Sequence, residues 1–141
     1  VLILSVIISC CCGLSSLNGV TGDVPGAVRI FTDPNKIEKN LEETLGLMGV
    51  NVISVKYDHN NVLITIEQPK NLQDEQVEMM YLSVFSAASQ AAPFSKGVSL
   101  IIAIDGDPFL RMETATQSVR LFRHDQLTES EFFDQLTISA P

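Results

Sequence analysis

Val98-Ser99-Leu100-Ile101-Ile102-Ala103-Ile104 is apolar at every position but one, on both of the faces that a β-strand presents. A run this short, ended by turn residues, has the length of a strand and not of a helix. A strand apolar on both faces belongs in the middle of a sheet and is expected to be covered on both sides. Asp105-Gly106-Asp107-Pro108 reads as a tight turn. Phe109 to Thr116 then returns as a second strand, with Leu110, Met112 and Thr114 on one face and Arg111 and Glu113 on the other.

An earlier segment repeats this layout. Val50 to Tyr57 alternates Ile53, Val55 and Tyr57 with Ser54, Lys56 and Asp58, while Val50 and Val52 are out of phase. The phase break predicts an irregularity near Val52. Asp58-His59-Asn60-Asn61 is a turn, because Asn tolerates left-handed backbone angles. Val62, Ile64 and Ile66 alternate with Leu63, Thr65 and Glu67 in the returning strand, and Pro69 closes the hairpin.

Helical patterns separate the hairpins. Asp33 is placed to cap a helix with Pro34 at its first position. Ile37, Leu41, Leu45 and Met48 form one apolar stripe, and Gly46 or Gly49 ends it. After a polar linker, Asp74 starts a longer helix with Val77, Tyr81, Val84, Ala88 and Ala91 in register, widened by Met80 and Phe85 and stopped by Pro93. Ser118 is expected to cap a short helix carrying Val119, Leu121 and Phe122. Thr128-Glu129-Ser130-Glu131 is a capping box for a last helix with Phe132, Phe133 and Leu136. The order α-β-β-α-β-β-α predicts an α+β two-layer sandwich: a four-stranded, mostly antiparallel sheet with helices on one face.

Of 141 residues, 9 are Lys or Arg and 17 are Asp or Glu, a net charge of −8, and none of the charge falls before Asp23. This acidic balance argues against nucleic-acid binding, which draws its affinity from basic patches, and against docking on anionic lipid headgroups. All three cysteines, Cys10, Cys11 and Cys12, are adjacent. Neighbouring thiols cannot wrap a metal ion, and residues 13–141 hold no partner for a disulfide framework.

Val1 to Ile8 is almost wholly apolar: too short to span a bilayer, which takes roughly 20 residues, but the size of the apolar part of a secretory signal, roughly 7–15. The chain starts without Met or a basic segment, which suggests residues upstream of Val1. Ile7-Ile8-Ser9-Cys10 resembles the lipobox of prokaryotic lipoprotein signal peptides. That resemblance covers residues 1–12 only and implies cleavage before Cys10, with a diacylglycerol on its thiol. The other readings are an uncleaved membrane anchor, a secretory signal cut elsewhere, or a buried strand. Residues 13–27, rich in Gly, Ser, Asn, Thr and Pro, read as a flexible tether. Residues 28–141 read as a single domain, with Val28, Ile30 and Phe31 as a short lead-in strand.

Candidate chemistry is sparse. Asp105 and Asp107 could offer two carboxylates to a metal, but the oxygen spacing of a Ca2+ loop is missing, and a hairpin turn accounts for both. His59 falls in a turn. His124 falls at a basic helix end, where a cation suits the dipole. No nucleophile elbow and no phosphate-cradling glycine loop occurs, so no cofactor is implied. The expectation is a membrane-tethered, extracytoplasmic lipoprotein, periplasmic or on the cell surface, that works as a binding or assembly module. It would meet an envelope protein through its sheet face or an edge strand, with Val55 and Thr114 as edge candidates. The alternatives are a small hydrolase or metal-dependent protein using Asp105, Asp107 and His124, and a purely structural envelope protein.

Overall fold

A computed structural model describes residues 32–141. They form four helices and one sheet: α1 (Pro34–Leu47), β1 (Val52–Asp58), β2 (Asn61–Glu67), α2 (Asp74–Ala91), β3 (Gly97–Ile104), β4 (Asp107–Ala115), α3 (Thr116–Arg123), α4 (Glu129–Asp134) and β5 (Thr137–Ser139). The class is α+β. The sheet has five strands, not four, in the order β1-β2-β3-β4-β5. Three neighbouring pairs are antiparallel, and β2 and β3 are parallel. The extra strand is β5, three exposed residues after α4 that pair with Arg111–Glu113 of β4. The parallel pair follows from α2, which carries the chain back along the sheet before β3 begins, as a crossover connection must.

Local chemistry sets the element ends. Asp33 caps α1 by accepting from the Asn35 N–H at 3.0 Å, with Pro34 following. At the other end Gly49 adopts φ +81°, the Gly49 N–H reaches Gly46 O at 3.1 Å and the Val50 N–H reaches Leu45 O at 3.0 Å. This double bond is the Schellman arrangement that a left-handed glycine permits. β1 carries a bulge between Val52 and Ser54, so Val52 and Val55 both turn toward the core while Ile53 is left exposed. His59 and Asn60 both take positive φ, as do Asp105 and Gly106, so each hairpin closes through two left-handed residues. Thr128 and Glu131 form the expected capping box of α4. Ser118 does not cap α3. The helix starts at Thr116, directly off β4, and buried Thr116 Oγ1 lies 2.7 Å from Ser95 Oγ.

The core lies between the helices and one face of the sheet. Ile37, Leu41 and Leu45 of α1, Phe85 and Ala88 of α2, Val119 of α3 and Phe132 of α4 join Val62, Ile64 and Ile66 of β2, Val98, Leu100 and Ile102 of β3 and Met112 of β4 in one cluster. Phe132 is the aromatic hub, stacked on Phe122 at 5.0 Å between centroids and edge-on to Phe85 at 5.7 Å. The other side of β3, Ser99, Ile101 and Ala103, lies outside this cluster. β3 is the middle strand, but among the described residues helices cover only one of its faces, which corrects the doubly covered reading. No helix among the described residues is long and apolar enough to cross a membrane.

Candidate binding groove

Strand register builds the second face of the sheet row by row. Lys56 pairs with Leu63, Leu63 with Ser99, Ser99 with Glu113 and Glu113 with Thr137, so one residue from each strand stands in a line across all five. The next row reads Ser54, Thr65, Ile101, Arg111 and Ser139. On the other side, toward the β1–β2 turn, the row is Asp58, Asn61, Gly97 and Ala115. Over the first and third of these rows lies a groove of about 660 Å3, bounded by Lys96 and Gln135. Gly97 and Ala115 keep it open. A Cβ on Gly97 would stand 3.2 Å from both Asn61 Oδ1 and the Thr114 carbonyl.

Its centre is a three-residue polar network. Ser99 Oγ donates to Glu113 Oε1 at 2.6 Å, and Arg111 Nη2 donates to the same oxygen at 2.6 Å and to Ser99 Oγ at 3.4 Å. The serine hydroxyl first, and then the guanidinium, hold the Glu113 carboxyl below its ordinary range against the opposing effect of burial. Arg111 Nε is buried with no hydrogen-bond partner. Lys56, Lys96 and Arg111 line the groove against Asp58 and Glu113, so it carries more cationic than anionic side chains in a chain of net charge −8. The arrangement suits recognition of an extended segment bearing carboxylates, by charge and by hydrogen bonds across the rows.

Cys10, the lipidation residue, lies outside the described residues, as does the lead-in strand at 28–31. Val55 is on β1, an edge strand, but its side chain is only 4% exposed and points into the core. Thr114 is 9% exposed on β4, an interior strand in the sheet order, and its Oγ1 is buried without a partner. A lysine at either position would test folding before it tested any edge. The β1 edge is also partly sealed: the Tyr57 N–H donates to Glu38 Oε1 from α1 at 2.8 Å. Asp105 and Asp107 flank the β3–β4 turn. There the Asp105 carboxylate takes Lys70 Nζ at 2.9 Å, a bond that holds its pKa below the ordinary value. The Glu67 carboxylate accepts the Asp105 and Gly106 N–H groups, which makes the turn a structural lock. His124 is the C-terminal cap of α3. Among the described residues no three His, Cys, Asp or Glu side chains come together to hold a metal ion. His59, beside Asp58 at 2.7 Å, borders the groove.

Alternation in the sequence already puts Lys56 opposite Val55 and Arg111 opposite Met112. What it does not give is which strands are neighbours, and the row exists only through the parallel β2–β3 pairing. Comparison with known protein families, with curated proteins and with solved structures gives no match.

Proposed function

We propose that this protein is a membrane-tethered, extracytoplasmic binding or assembly module. An acylated Cys10 anchors it, residues 13–27 form the tether, and the groove on the sheet face away from the helices receives part of an envelope protein. The observation that supports the reading is the groove itself. It has a glycine floor, a row of side chains from five strands, and one more cationic than anionic side chain in its lining although the protein is acidic. Two acyl chains suffice to hold such a domain on a bilayer, each buried CH2 adding about 0.8 kcal/mol.

Two measurements test it. The intact mass of the membrane-extracted protein should show a chain beginning at Cys10 with a lipid-sized increment, absent from Cys10→Ala. An unmodified chain retained in the membrane would remove the lipoprotein part of the reading. For the groove, Lys56→Glu and Ala115→Trp both alter exposed lining positions. Each should lose the partners recovered by cross-linking on intact membranes while keeping the unfolding transition of the parent. Recovery of the same partners by both variants would sink the groove as the binding site.

A further inference from the structure

The exposed apolar side chains are not scattered. Among the described residues nine large hydrophobic side chains are exposed, and six belong to segments that meet at one end of the sheet: Leu47, Met48, Ile53, Leu72, Ile104 and Phe109. The topology brings them there. Leu47 and Met48 end α1 just before β1 starts, and Ile53 is the bulge residue at that start. The start of β1 pairs with the end of β2, Val52 with Ile66, and Leu72 lies in the linker leaving that end. The end of β2 pairs with the end of β3, Glu67 with Ala103, and Ile104 and Phe109 flank the β3–β4 turn. Scattered exposed hydrophobes are ordinary, whereas a concentration rimmed by polar groups marks an interaction surface.

The rim is predominantly acidic. Glu67 at the end of β2, Asp74 and Glu75 at the start of α2, and Asp105 and Asp107 at the β3–β4 turn stand against a single ammonium, Lys70, which is paired with Asp105. A second copy presenting this end would set carboxylates against carboxylates, and an anionic bilayer would do the same. The described chain also begins at the opposite end: α1 runs antiparallel to β1, with Glu38 in its first turns bonded to Tyr57 near the far end of that strand. A 14-residue helix covers about 21 Å at 1.5 Å per residue, so the apolar end lies roughly that far from where the chain enters.

We propose that this end of the domain is a second docking surface, distinct from the groove, for a protein partner whose contact patch is apolar at its centre and bordered by Lys or Arg. The inference goes beyond the groove reading and does not depend on it.

Site-specific photo-cross-linking on the full-length protein in its own membrane tests it, with benzoylphenylalanine placed at Leu47, at Phe109 and, as the control, at Phe94. Leu47 is 84% exposed, Phe109 60% and Phe94 78%, so none of the three replacements disturbs the core. Phe94 lies at the other end, between α2 and β3. The expected result is one protein adduct shared by positions 47 and 109 and absent at 94. Its cross-linked peptide should be apolar and flanked by basic residues, and its yield should fall at least fivefold with Glu75→Lys combined with Asp107→Lys, two exposed positions whose carboxylates take no part in the Glu67–Lys70–Asp105 lock. Adducts to lipid, to a second copy of the chain, to an acidic or uncharged peptide, equal adducts at Phe94, or no adduct at either test position would each overturn the proposal. Loss of groove-dependent partners in Lys56→Glu leaves this outcome unchanged, so the two surfaces are tested separately.

Discussion

The two faces of β3 both hold buried side chains and are built differently. On the helix side, Val98, Leu100 and Ile102 are sealed among side chains from four helices. On the other side Ser99 and Ala103 are also buried, yet they lie outside the core cluster, shielded by neighbouring strands and by long side chains such as Arg111. Burial by a packed layer and burial by strand neighbours leave different chemistry behind. The first is mostly hydrocarbon, and a hydroxyl there, such as that of Thr114, is left without a partner. The second keeps a hydroxyl, a carboxylate and a guanidinium within hydrogen-bond reach of one another, and so can recognise something polar.

Substitutions on the two faces should therefore behave unequally. Leu100→Ala removes a fully buried side chain from the packed layer and should cost about 3 kcal/mol in denaturant unfolding, whereas half-buried Ile101→Ala, its neighbour on the open face, should cost about 1 kcal/mol. Equal costs would mean that both faces are packed alike. Thr114 makes the sharper test, because its Oγ1 sits on the packed side without a partner. Thr114→Val keeps the shape, removes the orphaned hydroxyl, and should raise stability by about 1 kcal/mol. A loss of stability there would show that the hydroxyl is satisfied. Ser99→Ala, on the open face, deletes a 2.6 Å bond of the polar network and should cost about 0.5 kcal/mol at neutral pH, since the groups it leaves are partly solvated.

The smallest effect is one of pH. The Glu113 carboxyl is held below its ordinary value of 4.5, so its ionised form contributes stability that is fully present above that value. This contribution is lost as pH falls through the lower folded value. Unfolding midpoints measured from pH 6 down to pH 2 should decline less steeply below about 4.5 for Glu113→Gln than for the parent chain. Superimposed profiles would separate the carboxylate from the stability of the open face.

Local rules made much of the fold legible. The Asp33-Pro34 start, the Thr128–Glu131 capping box, the bulge near Val52 and both tight turns rest on chemistry within a few residues. Thr137–Ser139 was not legible as a strand. Three exposed residues carry no alternation, and only pairing with β4 makes them one. The start of α3 is hidden in the sequence for a related reason: Thr116 is fixed by Ser95 across the fold and not by a cap in its own sequence. An apolar run such as Val98–Ile104 signals burial but not its agent, which is why the face opposite the helices read as covered. The groove was readable residue by residue in its polar alternation, and unreadable as a site until the strands had neighbours.

The parallel pairing of β2 with β3 also sets a timetable. The hairpins β1–β2 and β3–β4 each close over two residues, a contact that forms in roughly 1–10 μs. Joining them requires closure across residues 68–96, so the centre of the sheet is the part assembled from the most distant sequence. Until that closure, Val62, Ile64 and Ile66 on one hairpin and Val98, Leu100 and Ile102 on the other expose unpaired, strongly apolar edges. The strands most secure in the finished protein are thus the ones most open to capture by other chains while it is being made.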